Sequence, residues 1–232
     1  MQIIPVLDLM RGQVVHAKQG LRDRYRPIES SLCATSEALA IVSALLKLYP
    51  FETLYIADID AIRGSSRHDE IIKTIIQQFP KLTIWLDSGR QINEIIANQI
   101  IPVIGTESLG QMSDYQSIAT RLHVLSLDYL DNAPLGLTEL HHSPMAWPEH
   151  VICMTLNTVG SSAGVDTARL LEIQSHNQSR NAPSKLYAAG GVRNKADIEW
   201  LAKQGISGAL VATALHQQSI TTKDIMALCR SK

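Results

Sequence analysis

The chain has 232 residues, 45% hydrophobic and 19% charged, with a formal net charge of -1. Lys and Arg are scattered in ones and twos, which argues against a nucleic-acid or anionic-membrane surface and leaves a small molecule as the expected partner. Cys33, Cys153 and Cys229 are too few and too far apart for a disulfide framework or a zinc site, and no apolar run approaches the roughly 20 residues of a membrane span. With no basic signal-peptide start before the first apolar run, a cytoplasmic protein without metal or cofactor is expected.

In chain order, strand-like apolar runs fall at 2–7, 53–59, 82–86, 101–104, 122–127, 151–155, 185–189 and 208–212. Their near-continuous apolar character marks strands buried on both faces. Helical patterns fall between several of them, at 36–49, 68–78, 91–98, 166–175 and 195–204. Eight strands with crossover helices predict one (β/α)₈ barrel over the whole chain. The competing open, doubly wound sheet would want a Gly-rich first turn, whereas here the first strand runs into Asp8-Leu9-Met10-Arg11. Residues 12–18 alternate like a small hairpin, so the first loop is expected to be long and to cover the barrel mouth. From Tyr129 to His150, Pro134, Pro144 and Pro148 leave little room for a helix, and the fifth helix is expected to be short or missing.

Landmarks recur at about half the chain length. Leu7-Asp8 parallels Leu127-Asp128, and Asp87-Ser88-Gly89-Arg90 with Gly105-Thr106 parallels Gly190-Gly191-Val192-Arg193 with Ala212-Thr213. Two half-barrels, roughly 1–118 and 119–232, are the expected origin. Asp8 and Asp128 then end strands one and five, across the barrel from one another at its C-terminal face, where one can serve as base and the other as acid. A strand-ending Asp also commonly caps the next turn, so the matched pair carries more weight than either residue alone. Gly190-Gly191 leading into a helix offers free backbone N–H groups to an anion, and a glycine turn needed only for its backbone conformation is the plainer alternative.

The order and spacing of Ile4-Pro5-Val6-Leu7-Asp8-Leu9, Gly12-Gln13-Val14-Val15, Gln19-Gly20, Ile56-Ala57-Asp58-Ile59-Asp60, Val103-Ile104-Gly105-Thr106, Leu127-Asp128 and Gly190-Gly191-Val192-Arg193 resemble the histidine-biosynthesis half-barrel family, HisA and HisF. The likeness is closer to HisA and weakest over 129–165. It implies an Amadori rearrangement of an aminoaldose to an aminoketose, or a cyclase reaction with ammonia, with Asp8 as base and Asp128 as acid. It also implies a phosphorylated or anionic metabolite held by Gly190, Gly191, Arg193 and Thr213 in one half, and by Ser88, Gly89, Gly105 and Thr106 in the other.

Three departures qualify that expectation. Asp87-Ser88-Gly89-Arg90 stands where the isomerases read G-G-G-I-R, placing a carboxylate beside one phosphate site. Ala212-Thr213 replaces a glycine at the other, and Val159, or a deletion beside it, replaces the aspartate of a D-G-T loop. At most one good phosphate site is therefore expected, together with a substrate exchanged from that of the histidine pathway. A non-catalytic ligand-binding barrel and an enzyme of one-carbon cofactor synthesis (methanopterin or methanofuran) remain alternatives, and the oligomeric state stays open. Asp58, Asp60 and Asp87 add acids near the mouth that could hold a cation or cap turns. Arg22, Arg24 and Arg26 lie in the first loop, where they could fold over an anion, and the His141-His142 pair reads as a solvated loop feature.

Overall fold

A computed structural model describes residues 1–91 and 97–229. Eight parallel strands form the barrel: β1 (Gln2–Met10), β2 (Thr53–Asp58), β3 (Thr83–Asp87), β4 (Ile100–Gly105), β5 (Val124–Leu130), β6 (His150–Thr155), β7 (Lys185–Ala189) and β8 (Gly208–Val211). Each pairs with the next, and β8 closes onto β1 with Gln2 opposite Gly208 and Pro5 opposite Val211. All eight coincide with predicted strands to within a few residues.

The described helices are α1 (Ala38–Leu48), α2 (Ile59–Ile62), α3 (Asp69–Gln78), α4 (Met112–Ile118), α5 (Thr167–Gln178), α6 (Lys195–Lys203), α7 (Thr213–His216) and α8 (Thr222–Cys229). Their starts follow the capping chemistry of the sequence: Glu37, Asp58, Asp166 and Asn194 each accept from backbone N–H groups of the following turn. The helix expected at 91–98 falls largely on residues 92–96, which lie outside the described residues. Between β5 and β6 there is no α-helix: the chain folds back as a short antiparallel strand, Ala133–Pro134, and then forms the 3₁₀ turns Thr138–His142 and Pro144–Ala146, in keeping with the prolines. His141 differs from expectation: it is buried, its ring edge-on to Tyr129 at 4.6 Å. The chain packs tightly there, since a Cβ on Gly136 would sit 1.8 Å from the Thr106 carbonyl oxygen.

Two apolar layers follow from the period-2 alternation of the strands. One parity, including Leu7, Leu9, Leu54, Ile56, Ile84 and Leu86, packs outward against the helices. The other, including Ile4, Tyr55, Trp85, Val103, Val124, Ile152 and Tyr187, fills the barrel, with Trp85 and Tyr187 edge to face at 4.8 Å. Asp8, Asp87 and Asp128 belong to the inner parity, whereas Asp58 belongs to the outer one. The same alternation that builds the core thus decides which strand-end carboxylates reach the mouth.

Candidate active site

The C-terminal ends of the strands and the loops beyond them line a cavity of about 100 Å³, open to solvent at its mouth. Asp8 from β1, Asp87 from β3 and Asp128 from β5 line it together with Tyr55, Arg22 and Glu107. Arg22 arrives from the first loop: β1 turns at Arg11-Gly12, both left-handed, into the antiparallel strand Gln13–His16, and the chain then crosses the mouth. Of the three loop arginines, it is Arg22 that lines the cavity, ion-paired to Glu107 at 2.5 Å. The Gln19 N–H donates to the Val159 carbonyl at 2.9 Å, joining this loop to the one after β6.

The three inner aspartates are held differently. Asp8 is half-buried, and no side-chain hydrogen bond reaches its carboxyl among the described residues. Burial pushes its pKa up to about 7, with Arg22 pulling in the opposite direction. Asp87 is buried and accepts from Gly89 N–H at 3.1 Å and Tyr55 O–H at 3.2 Å. Burial, and next the negative charge of Glu107, raise it to about 7. Asp128 is buried and accepts from Ser126 Oγ at 2.6 Å, Glu107 N–H at 3.0 Å and Thr106 Oγ1 at 3.3 Å. Burial dominates here too, Glu107 adds to it, and the Asp128 pKa lies well above the usual carboxylate range.

Asp58 and Asp60 lie elsewhere. Asp58 caps α2 and accepts from His68 N–H at 2.6 Å and His68 Nδ1 at 2.9 Å. Asp60 accepts from Arg11 N–H at 2.7 Å. The Gly12 N–H lies 3.0 Å from His68 Nε2, and Asp60 Oδ2 lies 3.4 Å from the same nitrogen. These acids tie the first hairpin to the loop after β2. Among the described residues, no group of three His, Cys, Asp or Glu side chains is arranged to hold a metal ion.

The expected anion ligands divide sharply. Gly190, Gly191 and Thr213 line the cavity. The two glycines have left-handed φ values of 96° and 76°, and a Cβ on Gly191 would lie 2.0 Å from the Gly164 carbonyl oxygen. Gly191→Ala is expected to cost about 1–3 kcal/mol from backbone conformation alone, and more from the collision. Chemical denaturation checks this, and an unchanged stability would mean that the loop after β6 simply moves aside. Arg193 is turned away, its guanidinium bidentate to Asp197 at 2.8 and 2.9 Å. Ser88 is buried and donates to the Gln91 carbonyl. Gly89, Arg90 and Gly105 border a separate recess, and Thr106 is fully buried behind Asp128. The first-half constellation therefore does not converge on the main cavity.

A sequence profile described as "Histidine biosynthesis protein" matches residues 2–128 and 144–221. The chain belongs to this family. It is 29% identical, over 97% of its own length and 98% of the relative's, to an uncharacterized protein of Methanocaldococcus jannaschii. It is also similar to proteins named 1-(5-phosphoribosyl)-5-((5-phosphoribosylamino)methylideneamino)imidazole-4-carboxamide isomerase. The one from Listeria monocytogenes is 25% identical, with 97% of each chain covered. The one from Thermococcus onnurineus is 21% identical, over 97% of this chain and 98% of the relative. The profile's gap at 129–143 coincides with the segment after β5 that lacks an α-helix. Four carboxyl groups of the cavity, Asp8, Asp87, Glu107 and Asp128, face Arg22, which is itself paired to Glu107.

Sequence reasoning missed Glu107, Tyr55 and Tyr25 as cavity residues. Tyr55 was legible, since it shares the inner parity of β2. Glu107 and Tyr25 sit on loop and 3₁₀ segments, where no periodicity announces direction. No helix among the described residues is long and apolar enough to cross a membrane.

Proposed function

We propose that the chain is an aldose–ketose isomerase of the Amadori type, acting on a small, singly phosphorylated metabolite. The observation that carries this reading is that Asp8 and Asp128, from strands on opposite sides of the barrel, line one cavity with both pKa values raised toward the working pH. In the proposed reaction Asp128, protonated, delivers its proton to the ring oxygen as the aminoaldose opens to an iminium. Asp8, ionised, removes the proton from C2, which gives an enolamine. The enol hydroxyl at C2 then gives its proton to the ionised Asp128 as the ketone forms, and Asp8 returns its proton to C1, so both carboxyl groups regain their starting states with no net gain or loss of atoms.

The charge of the cavity supports a single phosphate. Gly190, Gly191 and Thr213 offer backbone and hydroxyl donors on one side, while Asp87 and Glu107 present carboxylates on the other. A second phosphate on that side would meet like charge in a partly buried setting. The substrate accepted by the isomerase relatives is therefore expected to be converted poorly.

Thermal-shift screening of phosphorylated aminoaldoses and related sugar phosphates, followed by turnover of each hit, tests the reading. Singly phosphorylated compounds are expected to stabilise the protein more than doubly phosphorylated ones and to be isomerised. Efficient turnover of the histidine-pathway substrate would refute the exchange of substrate. Tight binding with no turnover of any hit would refute the isomerase itself.

A further inference from the structure

Thr106 stands where a hydroxyl on phosphate was expected, yet it is fully buried and does not border the cavity. Its Oγ1 accepts from the Asp128 N–H at 2.9 Å. A threonine hydroxyl has one hydrogen, and here that hydrogen is directed at Asp128 Oδ2, 3.3 Å away. The Glu107 N–H meets the same oxygen at 3.0 Å, and Ser126 Oγ lies 2.6 Å from Oδ1. Ser126 reaches it because residues two apart share a strand face. Gly105 fits the same arrangement. Its φ of -82° is open to any residue, but a Cβ there would lie 3.0 Å from Asp128 Oδ2 and 3.6 Å from Asp87 Oδ2, tighter than an ordinary contact on the Asp128 side.

We propose that Thr106 is a positioning residue for Asp128 rather than an anion ligand, and that with Ser126 and the Glu107 N–H it forms a clamp that fixes the orientation of the carboxyl. The catalytic consequence rests on the isomerase reading, whereas the clamp itself does not. The titratable groups that act on this carboxyl include Glu107 after β4 and Asp87 on β3, and its charge is felt in turn by Tyr55 on β2, Tyr129 on β5 and Cys153 on β6. Glu107 and Asp87 favour the protonated form, and the donors at Oδ2 oppose them. Loss of the Thr106 hydroxyl removes one of those donors.

The test is a titration of the full chain carrying ¹³C-labelled aspartate, with the Asp128 carboxyl resonance assigned by its loss in Asp128→Asn. In Thr106→Val the midpoint is expected to move up by about one pH unit, a tenfold change in proton affinity, and in Thr106→Ser it stays where it was. Stabilisation by inorganic phosphate, read by thermal shift, is expected to be the same in both variants as in the parent. An unmoved midpoint in Thr106→Val overturns the clamp, and an unmoved midpoint with phosphate stabilisation lost assigns Thr106 to the anion instead. Should Thr106→Val fail to fold, Ser126→Ala decides the question, since the clamp requires its midpoint to rise as well. A moved midpoint in a protein that isomerises nothing would leave the clamp standing and remove the isomerase reading.

Discussion

Asp8→Asn and Asp128→Asn are each expected to lower turnover by roughly 10²- to 10⁴-fold while leaving ligand affinity within a few-fold of the parent. The amide keeps the size of the side chain and removes its proton chemistry. In the parent, the rate requires Asp8 ionised and Asp128 protonated. The acid limb of the pH profile should therefore fall near pH 7, where Asp8 titrates, and the alkaline limb should follow Asp128, whose pKa burial and Glu107 have raised. Asp8→Asn erases the acid limb from what activity remains, and Asp128→Asn erases the alkaline one. Wild-type turnover in Asp8→Asn would remove the acid–base assignment, and retention of both limbs in either variant would reassign the titrating group.

Asp87→Asn is expected to stabilise the protein at pH 8 by about 2–4 kcal/mol and to change it by less than about 1 kcal/mol at pH 4.5. The native carboxyl titrates near 7 against an ordinary value of 3.8. Below the ordinary value both folded and unfolded chains carry the proton, and the buried neutral acid costs nothing in linkage. Between the two values the unfolded chain ionises while the folded chain holds its proton, so stability declines as pH rises. Above 7 the loss is complete. The amide cannot ionise and escapes it. Denaturant titrations at the two pH values measure the difference, and a pH-independent effect would show that Asp87 is not the strained acid its surroundings describe.

Much of the fold was legible because parallel barrel strands are apolar on both faces, so even short runs such as 208–212 stood out. The pair of aspartates that meets in the cavity was legible for a different reason: each ends such a run. The distinction between Asp87 and Asp58 was also available. Counting in twos from Trp85 places Asp87 inside the barrel, and counting from Ile56 places Asp58 outside, but the acids were grouped by position along the chain instead. The contact of Thr106 with Asp128 was not legible in this way, because only the fold brings the two together, whereas the pairing of Arg193 with Asp197 spans one helical turn and was within reach of the sequence. Arg22 and Glu107 find each other across 85 residues, a pairing that no local pattern encodes.

The seam between the first loop and the loop after β6 has a kinetic meaning. Gln19 bonds to Val159, and a Cβ on Gly160 would lie 2.2 Å from the Ala17 carbonyl oxygen, so the two backbones touch above the carboxylates. The two loops are therefore expected to move as one body, and the rate at which ligands pass the open mouth beside them is expected to respond to substitution of Gly160.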